Sequence, residues 1–73
     1  MGLGLLYVTH ANENDAERLC ESLLNEKIIS CANFFPINSL YNWEKKLIKE
    51  NETVSLIKFD KTKIDEVEKR IKE

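Results

Sequence analysis

The fold turns on one stretch, "ISCANFFPINSLYNWEKK", Ile29 to Lys46. Cys31, Asn33, Ser39, Tyr41, Trp43 and Glu44 are polar or reactive and sit on a frame of good strand formers, and the stretch holds the only Pro and the only Trp of the chain. Beyond Pro36 the alternation is clean: Ile37, Ser39, Tyr41 and Trp43 point one way, and Asn38, Leu40 and Asn42 the other. The stretch therefore reads as a long strand from Ile29 to Trp43. Pro36 cannot donate to a ladder and marks an edge or a bulge. Glu44-Lys45-Lys46 reads as a turn, and Leu47 to Phe59 as a returning strand, strongest in "TVSLIKF". Two strands of this length make a protruding antiparallel ribbon, whose exposed edges call for a partner.

Upstream, Leu5-Leu6-Tyr7-Val8 is a continuous apolar run, the pattern of a central strand buried on both faces. It ends in Thr9-His10-Ala11-Asn12. Asn12 suits a helix N-cap, with Asp15 in the first turn. Ala16, Leu19, Cys20, Leu23 and Leu24 then recur on one face of a helix over residues 13–27. Cys20 falls inside that stripe and reads as a small buried hydrophobe. Downstream, Thr62 and Asp65 have the spacing of a capping box. Ile64, Val67 and Ile71 give a thin apolar stripe. Asp65–Lys69, Glu66–Arg70 and Glu68–Lys72 are acid-before-base pairs on a solvated face. The order is β-α-β-β-α, an α/β (α+β) chain. It is a ferredoxin-like pattern without its final strand, and residues 1–73 form a single domain.

With 73 residues and a net charge near −2, the chain has only a small core. The interspersed charges weigh against a nucleic-acid partner, which calls for a basic stripe, and against an anionic membrane. Two cysteines, Cys20 and Cys31, make neither a disulfide framework nor a structural zinc pattern. Free thiols in the cytoplasm are the expectation. The apolar N-terminus is too short to span a bilayer and lacks the features of a signal peptide. With one His there is no nucleophile–base–orienter set, and no glycine-rich phosphate loop is present, so catalysis is not expected.

The opening stretch resembles the signature of the CutA divalent-cation tolerance family. That pattern is roughly A-C-V-N, two apolar residues, Pro, then S-x-Y-x-W-E-G-K. Cys31, Asn33, Pro36, Ser39, Tyr41, Trp43, Glu44 and Lys46 match it in order. Glu52 and "LIKF" are similar to the family's E-x-x-x-x-I-K-T, with Lys58 at its Lys. "YVTHANENDAERLCESLLNEKIIS" is similar to its first strand and following helix. Lys45 stands where the family has Gly, and Phe59 where it has Thr. The Pro36–Ser39 connection is one residue shorter. The chain stops where the family continues into a His-Pro-Tyr-Glu segment, a fourth strand and a last helix. The resemblance implies a homotrimer with strands paired across subunits, binding divalent metals, copper above all, in metal-ion tolerance. A PII-like small-molecule sensing trimer is the alternative.

Candidate site residues follow from both readings. Cys31 is a soft ligand suited to copper. His10 is a second possible metal ligand, expected on a solvent-facing loop. Tyr41 and Trp43 share a face as packing or ligand groups. Glu52 and Lys58 share a face of the return strand, as a surface ion pair or as a polar cluster in an inter-subunit cleft, which Ser39 would complete. A third reading, single-stranded RNA stacked on Tyr7 and Phe34, is disfavoured by the acidic balance.

Overall fold

A computed structural model describes residues 2–72. Strand β1 (Leu3–His10) is followed by helix α1 (Glu13–Asn25), strands β2 (Cys31–Trp43) and β3 (Lys46–Asp60), a 3₁₀ turn (Lys61–Lys63) and helix α2 (Ile64–Lys72). The sheet is antiparallel in the order β1-β3-β2. Among the described residues, no helix is long and apolar enough to cross a membrane.

The centre belongs to β3. Its segment Thr53-Val54-Ser55 is buried residue after residue, because β3 is paired on both sides and cross-strand side chains close over it. This corrects the expectation for β1, which lies at a sheet edge with Leu3 68%, Leu5 59% and Tyr7 60% exposed. Both helices pack on one side of the sheet. There Cys20, Leu23, Ile28, Ile29, Ile57, Phe59 and Val67 form the core, with Leu6, Val8, Leu19, Ala32, Ile64 and Ile71 against it. β1 thus buries only one face, and its alternation is visible in burial.

Gly4 stands directly opposite Phe59. A Cβ at Gly4 would lie 2.5 Å from Cε2 of that ring. The ring lies over bare backbone, a packing that needs glycine.

α1 begins as its sequence predicts: the Asn12 side chain accepts from the Asp15 N–H at 2.8 Å. It ends earlier, at Asn25. Lys27 takes a left-handed φ of 59°. Its N–H donates to Leu24 C=O and that of Ile28 to Leu23 C=O, a Schellman ending closed by two buried apolar side chains. Leu24 is 41% exposed, at the rim rather than in the stripe. Lys63 Nζ donates to Lys27 C=O at 3.0 Å and ties the start of α2 to this corner. The cap there is Asp60, not Thr62. Its carboxylate accepts from the Thr62 N–H and hydroxyl, which hold the Asp60 carboxyl below the usual range. A 3₁₀ turn inserted before the helix moves the cap two residues upstream. Arg70 of α2 reaches α1, pairing with Glu26 and donating to Ser22 Oγ.

The ribbon is more regular than expected: β2 starts two residues later, at Cys31, and β3 runs one residue further at each end. β2 pairs one-to-one with β3 from Cys31↔Lys58 to Trp43↔Lys46, with no bulge at Pro36. Pro36 sits on the outer strand, where a missing N–H is tolerated. β1 reaches only to Thr53 of β3. Residues 37–52 therefore extend as two strands alone, and the molecule measures 44 × 21 × 20 Å. Glu44 and Lys45 close the ribbon with φ of 49° and 65°, the two positive values of a type I′ turn.

Two stability changes follow. Gly4→Ala drives a methyl into the Phe59 ring and should lower unfolding free energy in urea by about 1–3 kcal/mol. Glu44→Asn with Lys45→Gly removes left-handed strain from two side chains, and should raise it by about 1 kcal/mol or more.

Candidate functional site

The even residues of β3 and the odd residues of β1 and β2 face away from the helices, as the two registers require. This open face holds Leu3, Leu5, Tyr7 and Phe35, all exposed, with Val54 buried between Thr9 and Phe35. Six of the seven candidate residues lie on it: Cys31, Ser39, Tyr41, Trp43, Glu52 and Lys58. His10 does not.

The six fall in three places. Cys31, an exposed free thiol, stands directly opposite Lys58 at the root of the ribbon. In the middle, Ser39 opposes Glu50 and Ile37 opposes Glu52. The Tyr41 hydroxyl donates to Glu50 Oε1 at 2.6 Å. That bond, then partial desolvation and the nearby Glu50 and Glu52 charges, raise the Tyr41 phenol. At the tip, Trp43 is 63% exposed opposite Lys46. Twelve strand steps separate Cys31 from Trp43, about 40 Å. One chain cannot close all of these around a single ion. Among the described residues, no three His, Cys, Asp or Glu side chains come together as a metal set.

Glu50 was not among the expected residues. Its signal is in the sequence once the turn is fixed at residues 44–45, because it then falls opposite Ser39. Tyr7 and Phe34 lie on opposite faces of the sheet, so they cannot stack successive bases of one strand.

His10 corrects the loop expectation. It ends β1 on the helix side, partly buried, where its Nε2 shares a 2.7 Å hydrogen bond with Ser55 Oγ. Burial lowers the imidazole pKa, and the Asp15 carboxylate offsets part of this. Burial pushes the Cys20 thiol up, and the nearby Ser55 offsets part of this. The serine is completely buried, so its hydroxyl is closed to any substrate despite the imidazole beside it. This cluster satisfies polar groups beneath α1.

The His10 pKa sets a pH dependence. The folded state takes up this proton less readily than the unfolded chain, whose imidazole titrates near 6.5. The contribution is fully present above that value and is lost as pH falls toward the lower folded pKa. Urea midpoints at pH 7.5 and 5.5 should therefore differ more in the wild type than in His10→Gln. Equal differences would remove His10 as the group responsible.

Residues 4–73 match the family model described as CutA1 divalent ion tolerance protein. The divalent-cation tolerance protein CutA of Archaeoglobus fulgidus is 34% identical over 67 residues, 92% of this chain and 66% of that protein. The CutA of Pyrococcus horikoshii is 32% identical over 94% of this chain and 68% of its own length. This chain thus spans about two thirds of the length of these relatives. Among solved structures, a periplasmic divalent cation tolerance protein CutA from Archaeoglobus fulgidus superposes with a TM-score of 0.88 at 32% identity, covering 97% of this chain and 70% of that one. A divalent ion tolerance protein CutA1 from Ehrlichia chaffeensis gives 0.89 at 33% identity, covering 94% and 65%. The family model over nearly the whole chain, these relatives and the matching folds agree, and the chain belongs to the CutA1 divalent ion tolerance family.

Proposed function

We propose that this chain acts in divalent-cation tolerance as a homotrimer in the cytoplasm, binding copper or another divalent cation at sites assembled between copies. The observation that carries this reading is the open face of the sheet. It gathers six candidate residues, yet spreads them too far apart for one chain to use together. The same face exposes Leu3, Leu5, Tyr7 and Phe35, a contiguous apolar surface that water disfavours. Packing copies through this face and the ribbon would cover the apolar residues. It would also bring Cys31 of one copy near polar groups of another. Cys31 supplies a thiolate, the ligand that most favours copper and other soft ions. Ser39, Tyr41, Glu50 and Glu52 supply oxygens, and Lys58 and Trp43 border them. His10 is the weaker metal ligand, since its Nε2 is engaged by Ser55. Free thiols at both cysteines suit a reducing compartment.

Copper titration with sedimentation equilibrium tests the reading. The wild type should sediment as three copies and bind copper. Cys31→Ala should keep that mass and weaken copper binding by about tenfold or more. Phe35→Lys, on the open face away from the thiol, should lose assembly and copper binding together. Unchanged affinity in Cys31→Ala would remove Cys31 from the site. Full affinity in a monomeric Phe35→Lys would exclude a site built between copies.

A further inference from the structure

We propose that the Glu44–Lys45 turn is a hinge for strand exchange: opened, it lets β2 run straight on into β3, so that two copies of this chain trade halves. Neither the open face nor a metal is needed, and the inference stands apart from the reading above.

The turn demands a conformation that its residues resist. Glu44 and Lys45 hold φ of 49° and 65°. A Cβ makes that region costly, and glycine or asparagine would relieve it. Both residues are exposed, so burial of their side chains offsets none of the cost. Asn42 to Leu47 reads NWEKKL, with no glycine and no proline, and every one of these residues takes an extended conformation without strain. A short strained connection between two long strands is the arrangement that invites exchange.

The rest of the fold survives the exchange. The chain crosses from β1-α1-β2 to β3-α2 only at this turn. Once the turn is straight, the first half of one copy folds against the second half of the other. The thirteen β2–β3 pairs and the eight β1–β3 pairs re-form in the same register. The core re-forms too, because both halves contribute to it: Cys20, Leu23, Ile28 and Ile29 from the first, Ile57, Phe59 and Val67 from the second. The His10–Ser55 and Arg70–Glu26 contacts likewise join the two halves and are kept. Two lobes result, linked at their ribbon tips, and only the hinges change conformation. Closed chains hold the advantage at low concentration, since their halves are tethered, and exchange gains as concentration rises.

Exchange also changes which chain supplies the residues of the open face. In the closed chain, the Tyr41 hydroxyl donates to Glu50 and Cys31 stands opposite Lys58 within one copy. In the exchanged pair, Tyr41 and Cys31 belong to one copy, and Glu50 and Lys58 to the other. Each lobe then carries a mixed set. The pair is about twice as long as the 44 Å of a single chain.

A cross-strand disulfide separates the two forms. Asn38 stands opposite Asn51, and both are exposed on the ribbon. Counted back from the turn, theirs is a non-hydrogen-bonded pair, whose short Cα separation suits a disulfide. Asn38→Cys with Asn51→Cys, in a Cys31→Ala chain, is refolded over a range of concentrations, oxidised and sized without reductant. Closed chains crosslink within themselves, and exchanged chains give a covalent dimer whose fraction should rise with concentration. Glu44→Asn with Lys45→Gly should lower that fraction by about tenfold or more at equal concentration, because each exchanged pair relieves two turns. Chains carrying only Asn38→Cys and chains carrying only Asn51→Cys, refolded together, should give the mixed dimer. Crosslinks confined to single chains at every concentration would overturn the proposal. If sedimentation still showed assembly in that case, the trimer reading would stand without the exchange. A dimer fraction indifferent to the relaxed turn, or a mixture without the mixed dimer, would overturn the proposal as well.

Discussion

The register of β2 on β3, which leaves only Glu44 and Lys45 unpaired between the strands, is the constraint on which the rest of the structure depends. Side chains alternate with a period of two, so a slip of one residue would turn the whole set to the other face. Cys31, Ser39, Tyr41 and Trp43 would then turn to the helix side of the sheet, and Ala32 and Phe34 to the open side. The turn achieves its register with two non-glycine residues in left-handed conformations. That arrangement is strained and is held by thirteen paired positions behind it. Local geometry is imposed here by the length of the ladder and not by turn chemistry.

Stability and recognition are divided between the two sides of the sheet. The helix side contains the apolar core and the buried Cys20–Ser55–His10 cluster. The open side carries six of the candidate residues, none of them fully buried. This division accounts for a short chain that folds around a thin core while leaving Leu3, Leu5 and Tyr7 in water. A covalent-geometry constraint anchors the first side: Gly4 admits the Phe59 ring, and Phe59 and Ile57 give α1 and α2 a common floor.

Much of this was legible in the sequence. The ribbon and the buried Cys20 follow from local periodicity and the Asn12 cap from its residue type, whereas the candidate residues are marked mainly by the family resemblance. The misreadings share a physical origin in contacts distant along the chain. "LLYV" looks like a central strand because apolar runs do not report which strand takes the middle of a sheet. That place went to β3, through pairing on both sides. His10 looks like a loop residue because its partner, Ser55, is 45 residues away. Thr62 looks like a cap because nothing in the sequence announces the 3₁₀ turn that hands the role to Asp60. Glu50 was overlooked because its neighbours are defined only across the ribbon.

The ribbon is fastened only at its root. Lys63 clasps the Lys27 carbonyl where the chain has just left α1, while residues 37–52 have no third strand beside them. Such a projection sweeps a wider volume than the body that carries it. Trp43, Leu40 and Leu47, all more than 60% exposed near its tip, are thus the first apolar groups another molecule meets. In the assembly proposed above, such an arm would enlarge the target for encounter, and the broad face behind it would determine whether the encounter lasts.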